Sequence, residues 1–152
     1  MAFQVKRKQQ VEEELELLDE KGNVIHVIHV SLHADDVAGA LSEKYVGLVS
    51  EQARISQAVL KGTTEEKMES YERLGNMIIS LFQVVFGEEN TQTIVEFYKG
   101  RYTEMLQELN PFILNIVEQV RKIAQDNRKE TMKMYNRKQR REMRKKGISW
   151  GS

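Results

Sequence analysis

The residues best able to do chemistry are three histidines and a string of glutamates. His26, His29 and His33 recur within "VIHVIHVSLH". Imidazoles hold a metal only when several converge on one point. In a strand, residues three apart point to opposite faces, so His26 and His29 diverge, and His33 lies beyond the strand. No other ligand spacing supports them. The chain has no cysteine, which removes thiolate sites and disulfides. The carboxylates from Glu12 to Glu16 are expected on a solvated strand face, and the sequence shows none of the burial that paired acids need for acid–base work. There is no G-x-S-x-G, no Walker loop and no G-x-G-x-x-G. The expectation is a non-enzyme with no catalytic, cofactor-binding or metal-binding residues and no small-molecule substrate.

Charge is the stronger signal. The 152 residues carry 23 basic and 23 acidic side chains, yet these are segregated. Residues 1–120 hold 11 basic and 20 acidic residues, and residues 121–152 hold 12 and 3. An acidic body therefore precedes a basic tail. "RKQRREMRKK", residues 137–146, has seven Lys or Arg and one Glu. Such a run can neutralise phosphates, so a nucleic-acid-binding regulator is the alternative reading of function. Against it stand the few aromatics for base stacking and the acidic body. The tail's apolar face is too thin for a membrane surface. The longest apolar stretch, Met77 to Phe86, is far short of a membrane span. The basic N-terminus leads into acids rather than an apolar segment, so a cytoplasmic, unprocessed protein is expected.

The elements that must carry these residues follow from periodicity. Val11, Leu15 and Leu17 alternate with Glu12, Glu14 and Glu16, the period of a strand. "DEKGN" makes a loop, and the β-branched "VIHVIHV" returns as a second strand. Phe3 and Val5 suggest an extension of this β segment toward the N-terminus. A helix then starts near Asp35 and Asp36, with Val37, Leu41, Tyr45, Leu48, Ile55 and Val59 as one stripe ending at Lys61-Gly62. "TTEE" has the spacing of a capping box between Thr63 and Glu66. It opens a strongly apolar helix with the stripe Tyr71, Leu74, Ile78, Leu81 and Val85, stopped by Gly87.

A short helix over about 90–99 follows, and Gly100 breaks it. Tyr102, Met105, Leu106 and Leu109 resume the pattern. Asn110-Pro111 then predicts a fresh helix start, with Leu109 and Leu114 as a hydrophobic staple. That last helix carries Ile113, Ile116, Val117, Val120 and Ile123, after which the stripe fades. The expected fold is a mainly α (α+β) helical bundle with an N-terminal β-hairpin and a long basic C-terminal helix or arm. The expected divisions are 1–32 for the hairpin, 33–123 for the helical core and 124–152 for the arm, an extended helix or partly disordered.

"FYKGRYTEMLQELNPFI", residues 97–113, carries a resemblance. Phe97, Tyr98, Gly100, Tyr102, Glu104, Met105 and Leu106, then Pro111, Phe112 and Ile113, resemble a segment of the tail assembly chaperones of long-tailed phages and prophages of Gram-positive bacteria. The close likeness spans about 17 residues, and the general layout of β segment, helical middle and charged tail is similar. The resemblance implies a chaperone that binds the tape-measure protein before the tail tube polymerises around it. It implies possible contact with tail tube subunits, possible self-association, and action in the host bacterial cytoplasm with absence from the mature virion. It also implies a frameshifted long form in many members. Lys145-Lys146 suits a slippery adenine run, although plain basic tail explains the pair as well.

The matched aromatics Phe97, Tyr98, Tyr102 and Phe112 belong to packing rather than to a site. The expected partner-binding surface lies on the arm: Met132, Met134, Tyr135, Arg137, Lys138, Arg140, Arg141 and Arg144. The edge of the hairpin is a second candidate.

Overall fold

The computed structural model describes residues 2–6, 10–58 and 62–145, with the side chains at 57, 58, 140 and 143–145 outside that description. The elements are β1 (Val11–Leu18), β2 (Val24–Leu32), α1 (Ala34–Ala58), α2 (Thr64–Phe86), α3 (Glu88–Phe97) and α4 (Tyr102–Lys145). This is a mainly helical bundle with an N-terminal antiparallel hairpin, as the periodicities predict.

Turn chemistry sets the hairpin register. The Asp19 carboxylate accepts from the backbone N–H of Lys21 and of Asn23, each at 2.9 Å. Those bonds, the Asn23 one foremost, hold its pKa below the usual aspartate value. Gly22 supplies the positive φ, +85°, that the turn needs. Pairing runs from Val11↔Leu32 to Leu18↔Val24, with a bulge at Leu17/Leu18. Val11, Leu17, Ile28, Val30 and Leu32 face the core. The expected extension to Phe3 and Val5 does not form: residues 2–6 are not in a strand and both side chains are exposed. They find no partner strand, so nothing rewards ordering them.

α1 and α2 pack antiparallel. Lys44 bonds Ser80, and further along Arg73 lies 3.7 Å from Glu51. The predicted α1 stripe is on the inside: Leu41, Leu48 and Ile55 are buried and Val37 and Tyr45 half-buried. Val59 and Lys61 lie outside the described residues. The Thr63–Glu66 capping box forms in both directions. Leu74, Ile78, Leu81 and Val85 are buried, but Tyr71, expected among them, is 52% exposed. The reason is tertiary. α4 begins only at Tyr102, whose ring lies against Gly75, so before that point the face of α2 that α4 would cover is open, although α1 still packs beside it.

Gly87, at φ +82°, ends α2 and opens α3, which returns the chain along α2. Lys99 and Gly100, both at positive φ, then turn it into α4. α4 runs in the same direction as α2: Tyr102 meets Gly75, and Phe112 stacks on Phe86 with centroids 5.8 Å apart.

The predicted restart at Asn110-Pro111 is not there. α4 is one helix of 44 residues with Pro111 inside it. Proline removes one backbone bond and crowds the carbonyl four residues back. Pro111 and Gln107 both lie on the exposed side, so the displaced carbonyl faces solvent rather than the core while the opposite face packs. The staple fails with the restart, since Leu109 is buried and Leu114 is exposed. Tyr98 is buried, and Phe97, Tyr102 and Phe112 are half-buried against the core, so the aromatic segment is a packed corner.

Candidate interaction surface

The arm exists because α4 outlasts its neighbour. α1 runs antiparallel to α4, and its first turn meets α4 where Asn127 Nδ2 donates to Asp35 Oδ2 at 3.0 Å. Beyond that bond α1 has not begun. From Arg128 to Lys145 the helix projects about 27 Å at 1.5 Å per residue. Burial confirms the change: Val120 and Ala124 are buried, whereas Met132, Met134, Tyr135, Arg137, Lys138 and Arg141 are exposed. The side chains of Arg140 and Arg144 lie outside the described residues, and so does Lys146.

The helix does not gather the named residues on one side. At about 100° per residue, Tyr135 lies about 60° from Met132, while Met134 lies about 160° from Met132. One face therefore carries Met132, Tyr135 and Arg128, and Gln139 Nε2 reaches the Tyr135 hydroxyl at 3.2 Å. The other carries Met134, Arg137 and Arg141. The first face continues from the part of α4 that lines a shallow groove against α1, formed by Ala38, Leu41, Val117, Val120, Ala124 and Arg128.

The hairpin presents a second surface. Glu13, on its inner face, accepts from Gln119 Nε2 at 2.8 Å, which fixes that face toward α4. The outer face bears Glu12, Glu14 and Glu16 on β1 and Ile25, Val27 and His29 on β2. Ile25, Val27 and the nearby Leu18 and Val24 are each about half exposed. "VIHVIHV" has a histidine and apolar residues at both alternating sets of positions, so the sequence alone does not separate its faces; the register opposite the glutamates does. His29 Nδ1 lies 3.2 Å from Glu14 on this exposed face, and His33 pairs with Gln10 instead. Among the described residues, no group of three His, Cys, Asp or Glu is placed to hold a metal.

An open cleft between the hairpin tip and the α3–α4 corner is lined by Leu18, Ile25, His26, Phe97, Tyr98 and Glu108. Burial, and then a hydrogen bond to the Glu108 carboxylate, push the Tyr98 phenol well above the usual tyrosine range. Its proton is held, which suits a structural hydroxyl and not a base at neutral pH. No helix among the described residues is long and apolar enough to cross a membrane.

A third exposed site has no counterpart in the sequence reading. Met68 and Tyr71, on the part of α2 that precedes α4, are uncovered. Their sequence signal was the mixture of Met and Tyr with Glu65, Glu69 and Glu72, which weakens the apolar stripe there. No known protein family matches this chain, and neither a curated protein nor a solved structure matches it.

Proposed function

We propose that the chain is a phage tail assembly chaperone, a non-enzyme that binds the tape-measure protein, and in passing tail tube subunits, during tail assembly. The observation that carries this reading is the arm of α4, an uncovered basic helix about 27 Å long with apolar side chains on two faces. A long helical protein that exposes apolar stripes before assembly offers a matching surface, contacted helix to helix. The likeness of residues 97–113 to the chaperones points the same way. Many copies on one long chain would supply avidity through individually weak contacts, which suits a coat that must later leave. The place of action is the host cytoplasm, with no copy retained in the finished virion.

The test is capture of the full chain from its host after prophage induction, with nuclease-treated lysate and partners identified by mass. A very long helical phage protein is expected, and its recovery should fall when Met134→Glu, Arg137→Glu and Arg141→Glu are combined. No such protein from the treated lysate, with nucleic acid recovered from a parallel untreated one and lost with the same substitutions, would overturn the reading in favour of a nucleic-acid-binding regulator.

A further inference from the structure

The bundle is uncovered at two opposite ends, and the two ends are complementary. At one end α1 and α2 project beyond the start of α4 as a two-helix tip. There Met68 is 66% and Tyr71 52% exposed. At the other end α4 projects alone beyond the start of α1, and Met132 and Tyr135 are each 57% exposed. Both pairs are Met and Tyr three residues apart, so each forms one small apolar patch on a helix face. Both lie uncovered because neighbouring helices stop short of them: α4 has not begun beside the tip, and neither α1 nor α2 reaches the arm.

Their charges are opposite. The tip segment of α2, residues 64–73, has four acids and two bases, and one of those bases, Arg73, is already turned to Glu51. The arm, residues 128–145, has nine bases and two acids. The chain cannot satisfy itself. α4 is unbroken to Lys145 and points away from its own tip, because it runs parallel to α2 from Gly75 onward.

We infer that the arm of one copy docks on the α1–α2 tip of the next, with Met132 and Tyr135 packed against Met68 and Tyr71 and the arm's cations beside Glu65, Glu69 and Glu72. In this arrangement the incoming arm takes the place α4 would fill if it began earlier, and runs in the same direction. The lengths agree: the uncovered part of α2 from Thr64 to Gly75 spans about 17 Å and the arm about 27 Å. The contact joins two different surfaces, so it does not close on itself. It repeats, giving open head-to-tail chains. It leaves the arm's Met134, Arg137 and Arg141 face uncovered for another protein. The inference concerns contact between copies and stands whether or not the partner proposed above is correct.

Sedimentation velocity of the nuclease-treated full chain tests it. The expected result is a concentration-dependent series of oligomers with no preferred end point, which shrinks from about 50 mM to about 500 mM salt as charges are screened. A tip variant, Met68→Ser with Tyr71→Ser, and an arm variant, Met132→Ser with Tyr135→Ser, should each lower the association constant about tenfold or more. All four side chains are exposed, so both variants should keep the helical circular dichroism of the parent. The decisive result is the mixture. Each variant retains one intact surface, so together they should form a one-to-one pair and nothing larger. A parent chain that stays monomeric at low salt overturns the inference. So does a closed dimer indifferent to either variant, or a mixture that stays monomeric. Oligomers that appear only with added nucleic acid would likewise overturn it. Loss of partner capture with oligomers intact would refute the proposed function alone.

Discussion

Met105 and Met132 are the same residue on the same helix, and the structure treats them oppositely. Met105 is wholly buried at the aromatic corner, whereas Met132 is 57% exposed on the arm. Tyr98 and Tyr135 repeat the contrast, one buried and the other open. Neither residue type nor helix propensity distinguishes the members of each pair. What differs is whether another helix runs alongside: α2 and α3 flank the start of α4, and no element among the described residues flanks its end. The corner is where the chain spends its apolar side chains on its own stability. The arm carries the same kinds of side chain with no internal use for them, and that separates a packing surface from a candidate interaction surface.

The largest test of this comparison substitutes the same residue in both regions. Met105→Ala should cost about 2–5 kcal/mol of unfolding free energy, as buried methionine truncations do. Met132→Ala should stay within about 0.5 kcal/mol, the range of surface changes. Urea denaturation followed by circular dichroism measures both. Equal losses would mean that the arm packs on something within the same chain.

A smaller effect probes how closely α4 begins against α2. A Cβ at Gly75 would sit 2.9 Å from Tyr102 Cδ2, inside contact distance. Gly75→Ala should therefore destabilise by about 1–2 kcal/mol, despite alanine's better helix propensity. In a Tyr102→Ala background the same change should become neutral or stabilising. Additive losses across that double-mutant cycle would show that the ring is not what excludes the methyl group.

The smallest effect is confined to alkaline pH. The folded state raises the pKa of the Tyr98 phenol, so its contribution is fully present below the ordinary tyrosine value near 10 and is lost as pH rises beyond it. Thermal unfolding should shift downward above about pH 10, and Tyr98→Phe should flatten that slope. An unchanged slope in Tyr98→Phe would show that this corner hydroxyl is not what folding protects from ionisation.

Much of the fold is legible locally. The strand alternation at Val11–Leu17, the Asp19–Asn23 turn, the Thr63–Glu66 capping box and the stop at Gly87 are all short-range devices, and each forms as its residues indicate. The failures are of one kind. Pro111 reads as a helix start because its local chemistry permits that, yet the packing of Ile113, Ile116 and Val117 with Met105 and Leu109 holds one continuous helix. Tyr71 reads as core because it keeps the period of α2. The interaction surface is legible in part: the basic, sparsely apolar arm stands out in sequence, while the division of its residues into two faces and the existence of the α1–α2 tip do not.

The sequence by itself determined the period of each element, the turns between them, and the segregation of acid and base along the chain, because these depend on residues within a turn or two of one another. Only the tertiary structure decided where each helix begins beside its neighbour. α4 starts at the level of Gly75 and α1 at the level of Asn127, so side chains of one helical stripe end up inside at Leu74 and Ala124 and outside at Tyr71 and Tyr135. Burial requires a second surface at the right height, and no single segment specifies that height.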